Sequence, residues 1–324
     1  MLEVYYFIII TFFISIIIDL FYGELPTKIH PVVVIGNIIN FFKKTFIKYK
    51  NKWSGFFTTF FTVIISCLIL FVILLISSVN EYLLIAVYSI ILSSTYSIKM
   101  LLSTAKDIEN DLKQNINKAR QSVSYLVSRD TDKLTEEFIV SATIESMTEN
   151  ITDSYIAPIF YFIFVSVIFM ILKIDNCMIL LFIPFIYRIS NTLDAMLGYT
   201  SDELLNIGFV PAKLDDILNF IPSRLSGLFV VLSAYLLRYD GKNAFKIMKR
   251  DAKKCPSPNS GYTMAPTAGA LNIQLVKKDT YILGDNTNEI NVLDISKAIN
   301  LTSLTIALFT IFILIIMTMV YIIL

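Results

Sequence analysis

Three carboxylates, Glu145, Glu149 and Asp153, recur every four residues within a nine-residue stretch that also carries Asn150. On a helix they share one face. Like charges at that spacing repel, and here they stand immediately before an apolar run long enough to enter a bilayer. A chain that stacks them there offers them to a cation, or to a phosphate held through one. The spacing predicts an active site at the membrane interface.

Other polar clusters also abut apolar segments. One is Asp19-Leu-Phe-Tyr-Gly23-Glu24-Leu-Pro26 with His30-Pro31, which a Gly/Pro turn after a helix-ending Asp explains equally well. Another runs from Arg120 to Thr131 and includes Arg129; a solvated helix followed by a capping residue accounts for most of it. A third combines Arg188, Asn191 and Asp194 with Lys213, Asp215, Asp216, Asn219 and Arg224. Asn191 and Asp194 are three apart, as are Asp216 and Asn219, so each pair can share a helix face. Arg188 and Arg224 border apolar segments, where a charge is costly unless it pairs or binds. Guanidinium groups grip phosphate or carboxylate bidentately, and clustered Asp and Asn hold Mg²⁺, so an anion and metal site competes with a set of structural ion pairs. A fourth cluster follows Arg250-Asp251, where Cys255-Pro-Ser257-Pro-Asn259-Ser-Gly261 forms a turn whose N–H groups could face an anion. Neither a Walker A loop nor a dinucleotide fingerprint is present. These residues point to a membrane enzyme that handles phosphorylated or carboxylated ligands with a divalent ion.

The elements that must position them are membrane helices. Of the 324 residues 56% are hydrophobic and 16% charged, and the mean hydropathy is +0.69, too apolar for an ordinary soluble domain. Residues 56–79 and 301–324 carry no charge, and each is long enough to span the hydrocarbon core. Shorter segments at 4–18, 82–98, 155–172 and 177–187 join them, and 225–237 is of re-entrant length. The expected fold is all-α, a polytopic integral membrane protein of one domain over 1–324 with about five to seven membrane segments. Lys43, Lys44, Lys48, Lys50 and Lys52 place their loop in the cytoplasm. The motif-bearing stretches 19–55, 99–154, 188–224 and 238–300 then share that side, with 255–285 read as loop carrying a short strand at 272–276. A net charge of +1 gives no case for nucleic acid. Cys67, Cys177, Cys255 and the single His30 give neither a disulfide framework nor a zinc site.

Taken in order, the clusters resemble the adenosylcobinamide-phosphate synthase family of cobalamin biosynthesis, CobD/CbiB, over nearly the whole chain. The matching pieces are Asp19 to Pro26 with His30-Pro31 and Gly36; Ala119-Arg120 with Arg129-Asp130-Thr131; and Glu145-Ser146 with Glu149-Asn150 and Asp153. Further on come Tyr187-Arg188 with Asn191-Thr192-Leu193-Asp194; Lys213-Leu-Asp215-Asp216 with Asn219, Pro222 and Arg224; and Arg250-Asp251 with Ser257-Pro258-Asn259 and Gly261. The chain departs from the family pattern at Glu24, Ser128, Cys255 and Met264, where Asp, Gly, His and Glu are expected. The resemblance implies an ATP-dependent amide ligase that joins adenosylcobyric acid to an amino alcohol phosphate, aminopropanol phosphate or ethanolamine phosphate. It implies ATP and Mg²⁺ in the reaction, membrane lipid around the protein, and a cell-membrane location with cytoplasmic active-site loops. Contact with other corrin-pathway enzymes and the oligomeric state are left open. In this reading Glu145, Glu149, Asp153, Asp194, Asp215 and Asp216 are catalytic, with Glu145, Glu149, Asp153 and Asp194 toward Mg²⁺. Arg129, Asn150, Arg188, Asn191, Asn219, Arg224, Ser257 and Asn259 bind substrate and phosphate. The rival enzyme class is a Mg²⁺-dependent intramembrane prenyl- or phosphoalcohol transferase; a transporter would put its polar groups at mid-span.

Overall fold

The computed structural model describes residues 2–127, 130–198 and 201–324. Its elements in chain order are α1 (Leu2–Phe21), α2 (Pro31–Phe46), α3 (Lys52–Ser77), α4 (Glu81–Ser93), α5 (Ile98–Gln114), α6 (Ile116–Ser124) and α7 (Glu136–Ile151). They continue with α8 (Ala157–Leu172), α9 (Phe182–Leu197), α10 (Phe209–Leu218), α11 (Phe220–Leu236), α12 (Gly241–Asp251), α13 (Gly261–Leu271), β1 (Gln274–Lys277), β2 (Tyr281–Gly284) and α14 (Leu293–Ile323). The protein is an all-α polytopic membrane protein with one small hairpin. Among the described residues six helical runs are long and apolar enough to cross a membrane, and a seventh counts if α10 and α11, bent by 47° at Asn219, form one span.

Two boundaries differ from those read in the sequence. The apolar stretch does not end at 187, since the helical run continues through Pro184 to Leu197. A proline near a helix start costs little, because the N–H it lacks has no intrahelical partner there. The 255–285 segment is not mainly loop, because α13 occupies its centre with Pro266 inside the helix. Its small residues serve packing. A Cβ on Gly269 would lie 2.7 Å from the Asn243 carbonyl oxygen, so α13 fits against α12 only with glycine there.

The chain forms two compact units. The first comprises Met1–Ile98, Ala157–Leu218 and Ile313–Leu324. Its aromatic core includes Phe12 against Phe162 and Phe7 edge-on to Tyr88. Some of its buried polar groups are satisfied: Thr11 and Thr58 donate to carbonyls one turn back, and the Tyr96 hydroxyl donates to Ser15. Asp19, buried, accepts the Ile98 N–H at 3.0 Å and so holds the start of α5. His30 caps α2, its Nδ1 accepting the Val32 N–H at 3.2 Å ahead of Pro31.

The second unit comprises Lys99–Ile156 and Asn219–Phe312. Val140, Ile144 and Met147 of α7 pack with Leu271, Leu275, Leu283 and Ile295. β1 and β2 pair antiparallel, Gln274 opposite Gly284 and Lys277 opposite Tyr281. Asp251 pins the hairpin's far end. Its buried carboxylate accepts Arg250 Nε and Nη2, each at 2.8 Å, Lys254 Nζ at 2.6 Å and the Gly284 N–H at 2.9 Å. Gly284 sits at φ +81°, and a Cβ there would meet the Ile273 carbonyl oxygen at 2.3 Å, so only glycine completes the lock. Burial pushes the Asp251 carboxyl up, but the hydrogen bonds from Arg250, Lys254 and Gly284 outweigh it and hold the group at about 2.

Two outcomes follow from these contacts. Asp251→Ala, which removes the acceptor shared by Arg250, Lys254 and the Gly284 N–H, should lower stability by about 3 kcal/mol, read by thermal unfolding in detergent at neutral pH. Because the folded carboxyl titrates below its unfolded value, that contribution is complete above about pH 4 and fades toward about pH 2. At His30, burial favours the neutral ring, with Glu24 opposing and Arg188 reinforcing the effect, so its folded pKa is lowered. The cap is intact above the unfolded value of about 6.5 and is lost as pH falls below it through the lowered folded value, since a protonated Nδ1 cannot accept. The protection factor of the Val32 amide, its exchange rate corrected for the intrinsic pH dependence, should fall over that range in the wild type and stay constant in His30→Asn, which keeps a capping acceptor that does not titrate.

Candidate active site

The carboxylate series on α7 changes environment along its length. Glu145 is buried, accepting Ser141 Oγ at 2.6 Å on Oε1 and Tyr281 Oη at 2.8 Å on Oε2. Both oxygens are engaged inside the protein, so Glu145, expected among the metal ligands, holds the hairpin instead. One turn on, Glu149 is exposed, and Asp153 is half-buried in a five-residue π-turn, Thr152–Ile156. Glu149 lies in the electrostatic field of Asp153, Lys277 and Glu145, and the Ser260 side chain lies near it. The helix thus presents a two-carboxylate corner supported by a third, buried one. Asn150 donates to the Ser146 carbonyl at 2.8 Å on its own helix.

The loop facing this corner precedes α13. Ser257 Oγ accepts the Asn259 N–H at 3.2 Å, and Asn259 Oδ1 accepts Arg224 Nη1 at 2.8 Å. The Arg224 guanidinium lies 3.6 Å from the Phe220 ring centre and 4.3 Å from that of Tyr262, and it also donates to the carbonyls of Phe220 and Pro258. Such stacked, multiply bonded geometry suits arginine and not lysine. Arg224 and Asn259 fasten the loop that carries Ser257 and Ser260, while Asn219 is buried at the α10–α11 bend. Burial pushes the Cys255 thiol up to about 11, with the charges of Glu149 and Glu145 adding to the effect, so it stays protonated near neutrality. Met264, fully buried, places its sulfur 3.7 Å from Tyr281 Oη. Burial and the Glu145 charge raise the Tyr281 phenol, which remains the donor in their bond.

In the first unit, Arg188 Nη1 donates to Asn191 Oδ1 at 3.2 Å, three residues on along α9. Arg188 also acts electrostatically on His30, as does Glu24, so the first and third sequence clusters meet here. Asp194 closes α9: its carbonyl accepts the Gly198 N–H at 2.7 Å, and its carboxylate lies against Gly198 where a Cβ would fall 2.0 Å from Oδ1. Asp216 pairs with Lys213 at 3.1 Å across one turn of α10, next to half-buried Asp215. Arg129 lies outside the described residues. An apolar cavity of about 220 Å³ in this unit is lined by Leu25, Ile29, Pro31 and Phe185 with Ser66, and it offers little for ionic chemistry.

Among the described residues no three His, Cys, Asp or Glu side chains are arranged to hold a metal ion. Mg²⁺ commonly binds through one or two carboxylates with substrate phosphates completing its shell. The Glu149–Asp153 pair fits a Mg²⁺ ion arriving with a phosphorylated ligand. Ser260 lies in the turn after Cys255 that the sequence marks, whereas Ser141, Lys277 and Tyr281 also belong to this corner and carry no motif of their own. Of these three only Ser141, one turn before Glu145 on the same face, leaves a local trace in the sequence.

The family described as CobD/Cbib protein matches residues 12–311. A probable cobalamin biosynthesis protein CobD from Methanothermobacter thermautotrophicus is 44% identical over 92% of this chain and 94% of the relative. One from Methanococcus aeolicus is 45% identical over 85% and 87%. The cobalamin biosynthesis protein CobD of Dehalococcoides mccartyi is 33% identical over 86% and 87%. No solved structure matches. With the match spanning most of the chain and the carboxylate corner, the Arg224 loop and the Arg188 cluster all inside it, this protein belongs to the CobD/Cbib family.

Proposed function

We propose that this chain acts in cobalamin biosynthesis at the cell membrane, as an ATP-dependent ligase. It forms an amide between the free carboxyl of adenosylcobyric acid and an amino alcohol phosphate, aminopropanol phosphate or ethanolamine phosphate, to give adenosylcobinamide phosphate. The relatives' names support the pathway, and the lysine-rich 43–52 loop supports cytoplasmic active-site loops. The observation that carries the chemistry is the exposed Glu149 beside half-buried Asp153, both on a helix fixed by the buried Glu145 contacts.

An amine does not displace oxide from a carboxylate, so one carboxyl oxygen must first become a leaving group. Phosphorylation by ATP achieves this: the carboxylate oxygen takes the terminal phosphoryl group and ADP departs. The amine then forms the C–N bond as phosphate leaves with the oxygen, and one proton is released. Mg²⁺ supplies charge neutralisation on the phosphates. Glu149 and Asp153 hold that ion or orient the ammonium of the amino alcohol, and the Ser257–Ser260 loop, fastened by Arg224, presents hydroxyl and backbone donors at the start of α13. Cys255, protonated near neutrality, makes a thioester route unfavourable.

Detergent-purified protein incubated with adenosylcobyric acid, Mg-ATP and either amino alcohol phosphate should yield a corrinoid with the mass of the condensed amide. Omitting ATP should abolish the gain, whereas ATP-independent turnover would favour the transferase class. Glu149→Gln should reduce kcat by about a hundredfold or more while the protein remains monodisperse in gel filtration. Near-normal turnover in that variant would remove Glu149 from the site.

A further inference from the structure

The proposed chemistry handles two phosphorylated substrates, yet the corner around Glu149 is otherwise acidic. The positive side chain there is Lys277. It closes β1 directly opposite Tyr281, and its ammonium lies 5.9 Å from the centre of that ring. The same tyrosine bonds Glu145, one helical turn from Glu149. The backbone is held on both sides: the Val276 N–H donates to Ser141 at 2.9 Å, and Asp251 pins Gly284. The position of Lys277 is therefore set by α7 and α12, not by its own side chain.

What marks Lys277 is its place: it is half-buried in the field of Glu149, yet makes no ion pair among the described residues. Lys106, Lys113, Lys118, Lys213, Lys254 and Lys297 each pair with a carboxylate at 3.1 Å or less. Lys277 lies within the field of Cys255 as well, and among the described residues its ammonium makes no hydrogen bond. The Tyr281 ring and the Glu149 field favour the charge, while its hydrogen-bond donors are left for a further acceptor. Its three donors point to an anionic ligand, and the carboxylate pair beside it disfavours a simple anion but suits a phosphate that carries a divalent cation.

We propose that Lys277 binds a phosphoryl oxygen of a substrate, opposite the metal-facing carboxylates Glu149 and Asp153. The inference rests on the ligase reading, and two ligands share this chemistry: the polyphosphate of ATP and the phosphate of the amino alcohol. Lys277→Met keeps the length and the ring contact but removes the charge. It should raise KM about tenfold for one of the two substrates, with Lys277→Arg restoring most of the loss. A rise for ATP assigns the nucleotide, and a rise for aminopropanol phosphate assigns the acceptor. The thermal unfolding midpoint should not move, because no ion pair is broken.

Equilibrium dialysis of radiolabelled ATP and of inorganic tripolyphosphate against wild type and Lys277→Met gives a readout independent of turnover. Wild-type KM values for both substrates in Lys277→Met, with unchanged dialysis, would overturn the assignment while leaving the ligase intact. Wild-type protein that ligates nothing but binds tripolyphosphate through Lys277 would instead remove the ligase reading and keep the anion site. Wild-type protein that neither ligates nor binds either probe would overturn both.

Discussion

The carboxylate of Glu145 is the interaction on which the candidate site depends. Burying it next to the Val140, Ile144 and Met147 core is tolerable only because Ser141 and Tyr281 each donate to it, one from the same helix and one from the hairpin. Ser141 does two jobs, since its hydroxyl oxygen also accepts the Val276 N–H. A single turn of α7 thereby fixes both strands of the hairpin and, through them, the positions of Lys277 and Tyr281. Remove the buried charge and the exposed one at Glu149 loses the frame that sets its neighbours.

Two further locks of the same kind surround this frame. Asp251 collects Arg250, Lys254 and the Gly284 N–H, so the hairpin is held at the end away from Lys277. Arg224, between two aromatic rings, binds Asn259 and the Pro258 carbonyl and stiffens the approach to α13. Arg224, expected from sequence to bind substrate, bonds to Asn259 and to the Phe220 and Pro258 carbonyls, and Asp251 bonds to Arg250, Lys254 and the Gly284 N–H. Such residues act through position: they hold the small number of groups, Glu149, Asp153, Ser260 and Lys277, that face outward.

The parts of this arrangement that could be read from the chain are those encoded by local spacing. Uncharged runs at 56–79 and 301–324 became α3 and the later part of α14 because hydropathy over twenty residues has few other solutions. The Arg188–Asn191 bond follows from helical spacing. The end of α9 was hidden because polar residues on a half-buried face look like the end of a span. α13 was hidden because glycine, alanine and proline read as loop, whereas here small size is what close helix packing requires. Nothing local ties Tyr281 to Glu145, 136 residues apart. The contrast between buried Glu145 and exposed Glu149 was equally invisible, since identical residue types at identical spacing differ only in what the tertiary fold lays over them.

The departures from the family pattern acquire a physical meaning in this setting. Where the resemblance expects His and Glu, the chain has Cys255, whose thiol is held protonated, and Met264, which packs its sulfur against Tyr281. The segment from Cys255 to Leu271 therefore contributes no group that titrates near neutrality. In an amide ligation the amine must lose a proton as the C–N bond forms, and the acceptor has to lie within hydrogen-bond reach of that nitrogen. Glu145 has its oxygens engaged, and the raised Tyr281 phenol is a donor. Under the proposed ligation, Glu149, Asp153 or the departing phosphate would take that proton, so the two carboxylates a single helical turn apart would be candidates for proton transfer as well as for charge stabilisation.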